Sequence, residues 1–186
     1  MNIKLLLNYG ADPEPFEQVN TCIPGWPLHH AVVYSHFSSF LQLILSGAVT
    51  DLRKLPNPVQ PSNVSRLSIP HAILKYAKDK PEFISIFHES GGNLLQCDSN
   101  GVSPIDVTVQ SSPSKDLTIK LIGNPLPLRS LCRNAVRRQI GRKRLHQIPK
   151  LEIPRSLISL LTFHEFTEYS LRTKQNDHTK QLNKEE

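Results

Sequence analysis

One short unit recurs along the first two thirds of the chain and limits what it can fold into. Residues 2–13 place Ile3, Leu6 and Leu7 on one helical face and then reach Gly10 and Asp12-Pro13. The same form returns where Phe40-Leu41-Gln42-Leu43-Ile44-Leu45-Ser46 runs into Gly47-Ala48. It returns more loosely where Phe83-Ile84-Ser85-Ile86-Phe87 leads to Gly91-Gly92-Asn93-Leu94. Each is an amphipathic helix with a glycine suited to the left-handed stop. A second pattern opens a short helix with a proline near its start: Gly25-Trp26-Pro27-Leu28-His29-His30-Ala31, Ser68-Ile69-Pro70-His71-Ala72 and Gly101-Val102-Ser103-Pro104-Ile105-Asp106-Val107. Proline fits the first helical turn because the amide it lacks would be unbonded there. Pro70 and Pro104 stand 34 residues apart, and the wider gap between Pro27 and Pro70 holds a segment from Leu52 to Arg66 carrying Pro56, Pro58 and Pro61. Helix pairs repeated at such a period stack into a solenoid.

Composition narrows the choice. Hydrophobic residues make up 38% of the 186, enough for a buried core, and the 15 prolines exclude one long coiled coil or a clean helical bundle. Cys22, Cys97 and Cys132 are odd in number and far apart, which excludes a disulfide scaffold and fits a reducing compartment. Leu5-Leu6-Leu7 is too short for a signal peptide, and no apolar run approaches a membrane span, so a cytoplasmic chain, with nuclear entry open, is expected. Asn63-Val64-Ser65 has the form of a glycosylation sequon but lacks a secretion signal.

The repeated unit resembles the ankyrin repeat, with its period of about 33 residues and T-P-L-H-x-A signature. The best match is Trp26-Pro27-Leu28-His29-His30-Ala31 with Gly47-Ala48 closing the unit. Trp26 stands where the family has threonine, so that family's threonine–histidine bond is lost there. The resemblance covers residues 1–123. Because Met1 leads at once into what reads as the second helix of a unit, the chain is expected to be a truncated or alternative form of a longer array, its Leu5–Leu7 helix exposing apolar surface.

Residues 127–163 differ in character. Leu128, Leu131, Cys132, Ala135, Val136 and Ile140 form a helical stripe, Pro127 can start that helix and Gly141 can stop it. The opposite face carries Arg129, Arg133, Asn134, Arg137 and Arg138. Next come a short segment ending at Ile148-Pro149, then Leu151-Glu152-Ile153-Pro154, then a last helix from Pro154 to Leu161.

This stretch resembles a SOCS box. Leu128-x3-Cys132-x3-Val136 matches the family's elongin-binding pattern, and Gly141-Arg142-Lys143-Arg144-Leu145 and Ile148-Pro149 fall in register. Leu151-Glu152-Ile153-Pro154-Arg155-Ser156-Leu157 resembles its cullin-binding L-P-x-P-x-x-L segment, with Glu152 in place of the first proline. Together the two matches resemble the ankyrin repeat and SOCS box protein family. The resemblance implies an all-α fold: a short irregular ankyrin solenoid over 1–123, a three-helix SOCS box over 124–163, and a polar tail over 164–186 expected to be disordered. It implies an elongin B/C contact through Leu128, Leu131, Cys132 and Val136. It implies a contact with cullin-5 and its RING partner through Leu151, Ile153, Pro154 and Leu157. The chain would then be a non-catalytic adaptor presenting an unidentified protein substrate, with Trp26, Phe37 and residues 52–66 as candidate substrate contacts.

Other readings stand beside this one. A helix like 128–140 can pack its apolar face on the repeat stack, which would make the chain a plain ankyrin scaffold; either reading buries Cys132. The seven basic residues between Arg129 and Arg144 exceed the net charge of +6, so the charge is local. No aromatic residue interleaves them as single-strand binding would want, and a solvated face or a salt-bridged protein interface is preferred over nucleic acid. No nucleophile elbow, phosphate loop or paired-cysteine metal motif is present in the sequence. His29-His30 point about 100° apart on a helix and chelate poorly, so neither metal nor cofactor is expected.

Overall fold

The computed structural model describes residues 3–9, 11, 13, 27–50, 67–98, 100–106 and 110–170. Cys22, Trp26, the proline-rich segment 52–66 with its sequon, and the tail from 171 lie outside the described residues. Among the described residues the structure is helical and has no strand. The helices are α1 (Ile3–Asn8), α2 (Pro27–Val33), α3 (Phe37–Leu45), α4 (Ile69–Tyr76), α5 (Glu82–Glu89), α6 (Pro113–Ile122), α7 (Leu128–Ile140) and α8 (Arg155–Leu161), with a 3-10 helix over Arg142–Lys150 between the last two.

Two rows of helices make the stack. The proline-opened helices α2 and α4 lie side by side, while α3 packs on α1 and α5, and α6 closes the series against α4 and α5. Val32, Phe40, Ile73, Phe83, Ile84, Ile86 and Phe87 are fully buried between the rows. Phe83 meets Phe40 and Phe37 at ring-centroid distances of 5.1 and 5.2 Å. Ile3 and Leu7 of α1 rest on this core, but Leu5, Leu6 and Tyr9 are exposed, so Leu6 is not on the buried face expected of it.

The glycine stops form as their positions require. At the end of α3 the amides of Gly47 and Ala48 bond Ile44 O and Leu43 O, and at the end of α5 those of Gly91 and Gly92 bond His88 O and Phe87 O. That is the Schellman pairing, and it needs the positive φ of Gly47 (81°) and Gly91 (85°). In α4 the histidine position of the repeat signature works through Ser68, three positions before His71, as Trp26 is three positions before His29 in the sequence. The Ser68 hydroxyl lies 2.6 Å from His71 Nδ1, and His71 Nε2 lies 3.1 Å from Val102 O. His71 thereby ties one unit to the loop that opens the next, and burial holds its imidazole below the ordinary histidine range.

Two further expectations need correction. The third opening motif is a turn over 104–106 rather than a helix. The segment 164–170, assigned to a disordered tail, is helical. Phe163 is fully buried in the stack's core, Phe166 packs on that core and the ring of Tyr169 meets Phe37 edge-on at 6.0 Å. Helix α6 lies outside the repeat pattern, although Ser112 capping the amide of Lys115, Pro113 at the helix start and Asp116 in the first turn all announce it.

Candidate functional site

Helix α7 has the bounds the stripe predicts, and its faces are disposed the opposite way from a packing helix. Leu128 is 75% exposed, and Leu131, Cys132, Ala135 and Val136 are exposed with it. The inward residues are Ser130, which is buried, Asn134 and Arg137, which are half-buried, and Arg133, which is 1% exposed. The expectation that the basic run is a solvated face is therefore corrected for Arg133 and Arg137, and the scaffold reading, in which Cys132 packs inside the chain, is not what the structure has.

The surface beneath α7 explains the inversion. The helix crosses the C-terminal ends of α3 and α5, where carbonyls lack intrahelical partners and the helix dipole is negative. Such a surface calls for donors. Arg137 donates to Ile44 O (3.2 Å) and Leu45 O (2.8 Å) at the end of α3, and to Leu161 O (2.7 Å). Asn134 Nδ2 donates to Glu89 O (2.9 Å) at the end of α5. The Glu89 carboxylate accepts from both Arg133 and Ser130. Arg133 also pairs with Glu165 at 2.8 Å and lays its guanidinium over the Phe163 ring, 3.8 Å from the centroid. Burial, and then the neighbouring Arg133, lower Arg137 to about 10, which leaves it charged at neutral pH.

The glycine stops admit the module to the stack. A β-carbon on Gly47 would lie 2.8 Å from Leu145 Cδ1, and one on Gly91 would lie 3.2 Å from Asn134 Nδ2. The repeat's stop glycine thus serves twice: it turns the chain, and it leaves room for what docks there.

Beyond α7 a small second core gathers Leu145, Ile148 and Leu161, with Ile140, Ile153 and Ile158 against it. This sorts the candidate cullin residues. Leu151, Pro154 and Leu157 are exposed, and Pro154 caps α8. Ile153 is half-buried in the module's own core and stands apart from the exposed set, because its side chain fills the space beneath the 3-10 helix. An open apolar groove lined by Ala135, Val136, Ile140, Gln147 and Leu151 joins the α7 face to the start of that segment. Among the described residues no group of three or more metal-ligating side chains is gathered, and no helix is long and apolar enough to cross a membrane.

The fold is thus a helical repeat stack carrying a small C-terminal docking module that holds an apolar helix face to the outside. The family model of the SOCS box matches residues 124–162. The chain is 29% identical over 168 residues to rabbit (Oryctolagus cuniculus) ankyrin repeat and SOCS box protein 5, covering 78% of this chain and 50% of that protein. It is 29% identical over 169 residues to mouse (Mus musculus) ankyrin repeat and SOCS box protein 12, with 84% and 51% covered. It is 30% identical over 149 residues to human (Homo sapiens) ankyrin repeat and SOCS box protein 1, with 77% and 44% covered. The C-terminal module is a SOCS box, and the chain as a whole is similar to ankyrin repeat and SOCS box proteins. It spans about half the length of the curated relatives it matches.

Proposed function

We propose that the chain is a non-catalytic, substrate-recognition adaptor of an elongin B/C–cullin-5 ubiquitin ligase. Leu128, Leu131, Cys132 and Val136 meet elongin C, the segment from Leu151 to Leu157 meets cullin-5, and the ankyrin stack presents a protein substrate. The adaptor breaks no bond; it supplies proximity. The observation that carries this reading is the outward apolar face of α7. Five exposed side chains, Leu128, Leu131, Cys132, Ala135 and Val136, over a buried arginine make the kind of apolar patch that a partner covers. Within the cullin segment the exposed Leu151, Pro154 and Leu157 are the contacts we assign, and Ile153 supports them from below.

Capture of elongin B/C tests the reading. Truncating a leucine buried in a pocket costs ~2–5 kcal/mol, a loss of ~30-fold or more at ~1.4 kcal/mol per decade. The double variant Leu128→Ala with Cys132→Phe is expected to lose elongin capture while its thermal melt stays that of wild type, since both side chains face water. Undiminished capture would leave an ankyrin scaffold without ligase function.

A further inference from the structure

The matched SOCS box ends at residue 162, yet the chain continues at once into elements that return to the repeat stack. Phe163 has a left-handed backbone (φ 52°) and is fully buried in the core shared with α3 and α5. Phe166 rests on the same core, Ser170 is buried, and Tyr169 meets Phe37. Glu165, from this segment, and Glu89, from the end of α5, hold the two ends of one guanidinium, Arg133. Arg133 belongs to α7, and its π face is closed by Phe163. One α7 side chain is therefore clamped between the stack below it and the segment that follows the module. Lysine could not make this bridge, because it lacks the planar fork that reaches two carboxylates at once.

We infer that residues 163–170 are a strap which, through Arg133, fixes the angle between the outward α7 face and the ankyrin stack. The inference rests on the adaptor reading for its use: a rigid angle sets where a substrate on the stack stands relative to whatever α7 binds. Arg133 is in this sense a positioning residue, because it touches no partner on the outward face and sets that face's direction through Glu89, Glu165 and Phe163. Asn134 and Arg137 already seat α7 on the ends of α5 and α3; the strap adds a second clamp from the far side of Arg133, and a module held from both sides keeps a single direction.

The test is a distance distribution between spin labels carried on unnatural residues at positions 115, on α6, and 150, at the end of the 3-10 helix, measured in the full chain alone and in its elongin B/C complex. Wild type should give one narrow peak in both. Arg133→Met and a chain ending after Phe163 should lose the single peak, Arg133→Lys should not restore it, and all three should keep elongin capture within about twofold, since the outward face is untouched. Glu165→Ala removes only a half-exposed carboxylate; should Arg133→Met fail to fold, broadening in Glu165→Ala carries the test. A narrow, unshifted peak in both the shortened chain and Glu165→Ala overturns the strap, as does a broad peak in wild type. Failure of wild type to capture elongin would overturn the adaptor reading instead, and the peak in the free chain would still decide the strap.

Discussion

In α3 and α5 the residues turned inward are Phe40, Leu41, Leu43 and Ile44, and Phe83, Ile84, Ile86 and Phe87; in α7 they are Ser130 and Arg133. All three helices are amphipathic with a clear apolar stripe, so periodicity alone would seat them alike. What differs is the surface each one meets. The flanks of α3 and α5 face the apolar sides of neighbouring helices, where burial stabilises by about 25 cal/mol per Å². Helix α7 meets helix ends, where unpaired carbonyls and Glu89 would be left unsatisfied under a leucine. An amphipathic helix therefore does not declare which face is the inner one; the polarity of its seat decides.

The largest blow to this contrast within the chain itself is Glu89→Ala. It leaves Arg133 buried with one carboxylate, the half-exposed Glu165, and strips Ser130 of its acceptor. Breaking a buried pair from one side costs ~3–5 kcal/mol. The partial exposure of both carboxylates puts the expected loss near the lower end, about 3 kcal/mol in chemical denaturation. An equally large loss from Leu128→Ala, where the side chain faces water, would show that the faces of α7 were assigned the wrong way round.

Much of this was legible beforehand. Leu128 to Ile140 is bounded by Pro127 and Gly141 in the sequence and in the structure, and Gly47 and Gly91 stop their helices as their spacing predicts. The spacing of Phe163, Phe166 and Tyr169 is equally helical, but it crosses the boundary between the SOCS box and the polar tail, where the polar composition outweighs it. The buried arginines were not legible. Arg133 pairs with a carboxylate 44 positions away, and no local pattern marks an arginine that will be covered. The hint available was the run itself: seven cations in sixteen residues with no acid among them repel one another unless carboxylates or carbonyls come from elsewhere.

A smaller effect separates the Gly47 stop from another left-handed glycine, Gly101, which ends no helix. Gly47→Ala must hold a side chain at φ 81° and also press on Leu145 Cδ1 at 2.8 Å, whereas Gly101→Ala has φ 77° and nothing within 4 Å. Backbone strain alone costs ~1–2 kcal/mol in either. Gly47→Ala should therefore be the more destabilising of the two, and only it should loosen the module on the stack, read as faster amide exchange over 142–150. Equal losses would mean that Gly47 serves the turn alone.

Acid should distinguish the two regions again. His29, His71 and His88 all lie in the repeat stack, and burial lowers each from its ordinary 6.5. The unfolded histidines take up protons near 6.5 while the folded ones resist, so stability is full above that pH and declines as the pH falls through the lower folded values. Glu82, raised from 4.5 by burial, acts in the opposite sense just above its own ordinary range. Denaturation midpoints measured from pH 7.5 to 5.5 should fall with acid. A flat profile would mean that these imidazoles titrate as they do in water.

The smallest effect concerns residue 152, in the exposed segment that follows the 3-10 helix. Leu151 ends that helix with an extended backbone (ψ 139°), and Pro154 caps α8 in a similar conformation (φ −50°, ψ 140°). Half-buried Ile153 already pins the stretch between them to the module's core. Glu152 is exposed, so its carboxylate loses no hydration where it stands. Proline at 152 would act chiefly on the free loop, removing states the chain must give up when a cullin binds. Substitutions of that kind contribute ~0.4–1 kcal/mol, or up to about fivefold in affinity at ~1.4 kcal/mol per decade. Because Ile153 has restricted the loop already, the lower half of that range is expected. Titrating cullin-5 onto the preformed elongin complex of wild type and of Glu152→Pro measures it, with elongin affinity unchanged between them. Tighter binding by the proline variant would show that segment order limits the cullin contact. Weaker binding would show that the Glu152 carboxylate itself touches the cullin, and would move the contact from the apolar trio of Leu151, Pro154 and Leu157 toward this acidic edge.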